Sequence, residues 1–385
     1  MPSDPVGRVE FHWRAFAARY ADLLATGADT HPFDRARNAT LAALYAPDVE
    51  RACRVLEAAL AGDFGPAAPL PDRTLAKRAI AAKGTEWGVD AERAMLALAD
   101  RADAATAALL HERIATVFAG ARRTLPTYEL EDTAVRVELI PYHHAGLLLR
   151  GLIMAPAVAR PRGLVAYVHG GLLGLSPPAL VFGAALATRG FAVALPELRG
   201  QGGSQGLPEF IGGEVDDTLE MVERVRAHLP NPPPGEAYVG DSTGLPVALL
   251  AAARRPSCRV VSGYAGPVDP VGLCEISPEA PAVRALRVLI GQLNASRRPV
   301  YEARSAVGAI RALRCPGVVF WGAQDDAVPL EQAIALQVAA RDARAPLAVT
   351  VYGDQPHSLH QQTHGRTAAE DAWDRLLRGL DRAFG

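Results

Sequence analysis

Three residues, Ser242, Asp325 and His357, stand in chain order in three short segments, each just past an apolar run. Ser242 lies in Tyr238-Val239-Gly240-Asp241-Ser242-Thr243-Gly244, an apolar strand entering a G-x-S-x-G turn and leaving it as the alanine-rich helix Val247 to Arg254. Glycines on either side of such a turn have a physical reason: the serine sits at a strained corner where neighbouring Cβ atoms would collide. A serine hydroxyl is a poor nucleophile at neutral pH until a base takes its proton and a carboxylate fixes the tautomer of that base. His357, in Gly353-Asp354-Gln355-Pro356-His357 after the run Leu347 to Tyr352, fits the base. Asp325, in Gly322-Ala323-Gln324-Asp325-Asp326-Ala327-Val328-Pro329 after Gly317 to Trp321, fits the carboxylate. The chemistry expected is attack of Ser242 on a carbonyl, with the Thr243 N–H facing the oxygen that becomes negative.

Each assignment has a competitor. Gly202-Gly203-Ser204-Gln205-Gly206 also matches G-x-S-x-G, but the Leu207-Pro208-Glu209-Phe210 that follows argues for a loop, so Ser242 is preferred. Asp326 is the alternative acid, since the turn could present either carboxylate, and both aspartates could instead be turn formers or helix caps. His360 and His364 lie near His357 and read as surface groups at the start of the last helix. A second oxyanion donor should come from His169-Gly170-Gly171-Leu172-Leu173-Gly174, with Gly171 the first choice and Leu172 the second. A plain glycine turn is the other reading of that loop, and His169 reads as structural. His143-His144 lacks a partner at ligand spacing, so no metal is expected. No cofactor is expected either, because Gly200-Gln201-Gly202 lacks the third glycine and the first-strand position of a dinucleotide loop.

These residues need a scaffold, and 385 residues make two domains the natural expectation. Hydrophobic residues make up 49% and charged residues 21%, with a net charge of −2, so nothing here forms the basic field that nucleic acid or a membrane surface would require. Met1 to Glu10 is polar and no later stretch is long and apolar enough to span a bilayer, which leads to the expectation of a cytoplasmic protein. The four cysteines are widely spaced, without a C-x-x-C pair, and read as buried thiols.

From about His12 to Arg123 apolar residues recur at helical spacing and strand signals are absent. Residues 1–127 are therefore expected to form a helical domain, broken at Gly27 to Pro32, Gly62 to Pro71 and Gly84 to Gly88, with a last helix from about Asp90 to Ala119. Residues 128–385 then open with a hairpin, Ala134 to Ile140 and Leu147 to Met154 joined by Pro141 to Gly146, and continue in strand and helix alternation. That pattern implies an α/β fold with a doubly wound, mostly parallel sheet and an antiparallel edge. Functional groups on such sheets collect beyond the carboxyl ends of strands, where the three loops above lie.

Taken together, the ordered set resembles the α/β-hydrolase superfamily, and in particular its prolyl-oligopeptidase-like and dienelactone-hydrolase-like branch. Further segments carry the likeness over roughly Tyr128 to Gly385. Arg199 to Gly206 is similar to that branch's R-G-x-G-x-S-x-G loop after the fourth strand, which makes Ser204 a structural residue, and Gly213 to Asp217 resembles the helix start before the elbow. Tyr264 to Asp269, Tyr301 to Ser305 and Gly322-x-x-Asp325-x-x-Val328-Pro329 match in type and order, the last supporting Asp325 as the acid. A helical N-terminal domain is similar in layout to relatives of 2,6-dihydroxypseudooxynicotine hydrolase. The resemblance implies a Ser-Asp-His hydrolase. Two departures bear on its pocket: Leu245-Pro246 replaces a second glycine after the elbow, and Pro196-Glu197 replaces the acidic residue common after the fourth strand.

Between Ser242 and Asp325 the chain is longer than one strand, one helix and their loops require. The surplus, about 267–312, is expected to form a lid, with Ala282 to Leu293 either covering an apolar pocket or packing on the core. The expected activity is hydrolysis of an ester, thioester or amide of a small-molecule acyl substrate through an acyl-enzyme on Ser242. Alternatives are an acyltransferase or cyclase using the same residues, a C–C bond hydrolase, and a non-catalytic binding protein of this fold. The sequence is compatible with a homodimer and does not set the oligomeric state.

Overall fold

A computed structural model of the chain describes residues 4–65, 89–115, 135–357, 359 and 366–385. Its centre is an eight-stranded sheet in the order β1-β2-β4-β3-β5-β6-β7-β8. The strands are β1 Val135–His144, β2 Leu147–Pro156, β3 Gly163–Val168, β4 Phe191–Glu197, β5 Glu236–Asp241, β6 Cys258–Tyr264, β7 Gly317–Gly322 and β8 Leu347–Tyr352. β1 and β2 form an antiparallel hairpin, β2 pairs antiparallel with β4, and every pairing from β4 through β8 is parallel. This is the α/β-hydrolase arrangement. β3, β4 and β5 are buried along their whole length, which is why they read as near-continuous apolar runs.

Alternate residues of β3 divide the interior. Leu164, Ala166 and Val168 face one apolar cluster and Val165 and Tyr167 the other, as the two-residue period of a strand requires. The first cluster takes in helices α1 Pro5–Thr26, α2 His31–Tyr45 and α3 Val49–Leu60, through Trp13, Phe16, Leu41 and Leu56. The second takes in α4 Val89–Arg101, α5 Ala104–Ala115 and α6 Pro177–Thr188, through Met95, Leu98, Leu109, Leu110 and Phe182, while α7 Glu214–His228 joins the first through Val222. The N-terminal helices thus bury their apolar stripes in both of the clusters that flank the sheet.

Three local expectations are corrected. The last N-terminal helix, expected as one piece from Asp90 to Ala119, is two: the first ends at Arg101 and Asp103 caps the second, its carboxylate accepting the N–H groups of Ala105 and Thr106 at 2.9 and 3.0 Å. A further break separates α2 from α3, where Asp48 accepts the Arg51 N–H at 3.0 Å. The hairpin loop is shorter than Pro141 to Gly146: β1 continues to His144, and Ala145-Gly146 alone make the turn, with φ of 51° and 76°. Two residues with positive φ match the right-handed twist of the flanking strands. The breaks expected at Gly84 to Gly88 and the boundary at 127/128 lie outside the described residues, as do His360 and His364.

Candidate active site

The elbow is built by close packing that admits no side chain. A Cβ on Gly240 would sit 2.3 Å from the Gly244 carbonyl, and one on Gly244 would sit 2.1 Å from the Val168 carbonyl, so β5, the turn and the helix α8 Gly244–Arg254 meet backbone to backbone. Ser242 itself adopts φ 51°, a left-handed conformation that costs a non-glycine residue about 1–3 kcal/mol and persists where the surroundings enforce it. They do so here: the Ser242 N–H donates to the Tyr264 carbonyl at 3.0 Å, and its own carbonyl accepts from Leu245 at 2.9 Å. Leu245-Pro246 is accommodated without crowding the turn. Leu245 is fully buried against Gly263 and Gly266, and Pro246 falls in the first helical turn, where its missing N–H has no partner to lose.

The loops after β7 and β8 are laced together. Ala323 and Gln324 donate to the carbonyls of Tyr352 and Gln355 at 2.8 and 2.9 Å, and a Cβ on Gly322 would fall 2.1 Å from the latter oxygen. That contact places Asp325 beside His357, with Asp325 Oδ2 2.7 Å from His357 Nδ1. The other carboxylate oxygen, Oδ1, accepts the N–H groups of Ala327 and Val328 at 2.9 and 2.7 Å, which orients a side chain wholly shielded from solvent. The far edge of the ring meets the serine, Nε2 lying 3.0 Å from Ser242 Oγ. Asp326, by contrast, is exposed.

The His169 to Gly174 loop lies against the elbow. Thr243 Oγ1 donates to the Gly171 carbonyl at 3.0 Å, and a Cβ on Gly170 would stand 3.0 Å from Ser242 Cβ. Gly171 has φ 76°, a conformation open to glycine, and Leu172 beside it is buried. His169 is fully buried with Nδ1 3.0 Å from the Gly170 carbonyl, and burial pushes its imidazole below the ordinary range, in keeping with a structural histidine.

Ser204 belongs to the fabric of its loop. It is fully buried, donates to the Glu197 carbonyl and accepts the Arg150 N–H at 3.1 Å. Arg199, at the start of the same loop, grips Asp217 in a two-pronged pair at 2.8 Å on each arm, so the two segments singled out as loop and helix start are partners. The first helices hold this loop from the other side. Arg37, fully buried, donates to the carbonyls of Gly206 and Gly202 at 2.9 and 3.1 Å, Asn38 Nδ2 donates to Gly202 at 2.9 Å, and Tyr20 Oη accepts the Gly206 N–H at 3.1 Å.

Two further residues were given no role from the sequence. Glu197, the last residue of β4, is fully buried between Arg150 and Arg113, the latter 3.0 Å away. Burial alone would raise its carboxyl, but the two guanidinium groups outweigh it and hold the group below the ordinary glutamate range. Arg113 comes from α5, and nothing about one arginine in a helical run marks it as reaching the sheet edge.

The expected lid holds helices Pro270–Ile276, Pro281–Ile290, Arg298–Glu302 and Ala306–Ala309. The second packs on α1, with Ala285, Leu286 and Val288 buried and Arg287 paired to Asp4 at 3.0 Å and Glu10 at 3.5 Å. No helix among the described residues is long and apolar enough to cross a membrane.

No protein-family model matches the chain. An uncharacterized peptidase, YtmA, of Bacillus subtilis (strain 168) is 23% identical over 228 residues, covering 58% of this chain and 86% of that protein. Among solved structures, a puromycin-hydrolyzing peptidase of Mycobacterium tuberculosis superposes with a TM-score of 0.56 at 20% identity, over 66% of this chain and 40% of that one. An acylaminoacyl peptidase of Pyrococcus horikoshii gives 0.57 at 14% identity, over 65% of this chain and 42% of that one. The chain therefore matches about two fifths of the length of these structures, and the likeness is one of fold.

Proposed function

We propose that the chain is a serine hydrolase that cleaves an ester, thioester or amide through an acyl-enzyme on Ser242. The observation that carries this reading is the relay Ser242 Oγ to His357 Nε2 to His357 Nδ1 to Asp325, at 3.0 and 2.7 Å, assembled from three separate loops. With Nδ1–H donating to Asp325, Nε2 accepts the serine proton as Oγ attacks the carbonyl carbon. The Asp325 carboxylate, fixed by two backbone N–H groups, keeps that tautomer and stabilises the imidazolium that forms.

Charge then builds on the former carbonyl oxygen. The Thr243 N–H, at the head of α8, and an N–H of Gly171 or Leu172 are the donors assigned to it; losing one such donor raises the barrier by about 3 kcal/mol. Collapse of the intermediate expels the leaving group, which takes the proton from His357, and water activated by the same ring releases the acyl group. The names of the peptidases similar in sequence and fold weigh toward an amide among the three bond types. A small-molecule substrate entering beneath the 267–312 segment is the companion proposal, as is action in the cytoplasm.

Turnover of p-nitrophenyl acetate and of aminoacyl p-nitroanilides by the wild type and by Ser242→Ala tests the proposal. The expected result is loss of turnover by about 10³-fold or more in the variant, the scale on which catalytic-residue removal acts. Equal turnover by both proteins would overturn it.

A further inference from the structure

We infer that Arg113 is a positioning residue for the oxyanion loop, through which the N-terminal helical region helps to build the active site. The inference rests on the reading that the His169 to Gly174 loop supplies an oxyanion donor. An N–H group stabilises a developing charge only if its backbone is held in place before the charge appears. Side chains from outside this loop hold two of its carbonyls. Thr243, the residue after the nucleophile, donates to the carbonyl of Gly171 at 3.0 Å, and Arg113 Nη1 donates to that of Leu173 at 3.0 Å. The Gly171 carbonyl shares its peptide with the Leu172 N–H, so rotation of that proposed donor would break the Thr243 bond, while Arg113 holds the chain on the far side of Leu172.

Arg113 can act as a fixed point because it is itself fixed. It is 3% exposed, and Nη2 lies 3.0 Å from Glu197 and donates to Glu112 at 2.6 Å. Glu197 ends β4 and is tied in turn to Arg150 and to the Gly203 N–H at 3.1 Å. The planar guanidinium thus links a strand end to the loop carbonyl across one rigid group, with a fixed fork of donors that the rotatable N–H groups of a lysine on a flexible stem do not reproduce. The surroundings are shaped to this fork: a Cβ on Gly202 would lie 2.7 Å from Arg113 Nη2, and one on Gly174 would lie 2.8 Å from Glu197 Oε1.

The test uses the full chain, p-nitrophenyl acetate as substrate and phenylboronic acid as a tetrahedral mimic. Arg113→Lys keeps a positive charge beside Glu197 but gives up the Leu173 carbonyl. Arg113→Met with Glu197→Gln removes both charges and leaves no unpaired ion. In each, kcat should fall about tenfold to a hundredfold, the range expected for a displaced oxyanion donor, with KM within about twofold. Boronate affinity should fall in parallel, with Arg113→Lys the milder of the two. Unchanged kcat and boronate affinity would overturn the inference, and so would a loss of activity that only tracks loss of folded protein by circular dichroism. If Ser242→Ala retains full turnover, the hydrolase reading itself fails; if that variant is inactive while the Arg113 variants are normal, only the positioning role fails.

Discussion

At the scale of single residues, neighbours of the same type are separated by their surroundings. Asp325 is shielded and accepts two backbone N–H groups beside His357, whereas Asp326, next in the chain, is exposed. Asp325→Asn should therefore lower kcat by about 10⁴-fold, because an amide favours the wrong histidine tautomer. Asp326→Asn should leave kcat within about twofold; steady-state kinetics of the pair reads the difference, and reversed effects would exchange their roles. The two serines divide in the same way. Ser204→Ala leaves the buried Glu197 carbonyl and Arg150 N–H each short of a partner, so it should destabilise the fold by about 1–3 kcal/mol in urea titration. Catalytic constants per folded molecule should stay as in the wild type.

At the scale of elements, the loops after β5, β7 and β8 were legible because each carries a glycine or an aspartate whose reason is local. Gly244 was read as part of a tight turn, and its absent Cβ proves to be what lets α8 touch Val168. Gly244→Ala should accordingly abolish soluble folded protein, measured as the loss of a cooperative melting transition. The divisions at Asp48 and Asp103 were not legible, since a single capping aspartate inside an alanine-rich helical run looks like any exposed polar residue. Nor were the long-range roles of Arg37 and Arg113, which reach carbonyls and a glutamate more than 50 positions away; long-range pairing of a charge with a backbone oxygen leaves no pattern in the chain. Glu197 is ionised in the fold at a pH lower than in the unfolded chain, so its contribution to stability is present above the ordinary glutamate pKa and is lost as pH falls through the lowered value. Taking away the Arg113 charge should shift acid unfolding, followed by circular dichroism, to higher pH.

At the scale of the whole molecule, the helical region and the sheet share their interior. Trp13, Phe16 and Leu56 belong to the same apolar cluster as Leu164, Leu245 and Trp321, and Arg37 and Tyr20 bond across to the 202–206 backbone. Heating should therefore unfold both in a single calorimetric transition, and two separated transitions would show that the helices form an independent unit. A shared interior also gives the N-terminal helices a reason to matter for turnover, through loops they hold in place and do not themselves belong to. What turnover itself requires is that Ser242 acts as the nucleophile, as we propose. The most direct test of that role is labelling of the full chain with a fluorophosphonate followed by peptide mass spectrometry. One adduct is expected, on the peptide containing Ser242, absent from Ser242→Ala and retained in Ser204→Ala; an adduct on Ser204, or equal labelling of Ser242→Ala, would show that Ser242 is not the nucleophile.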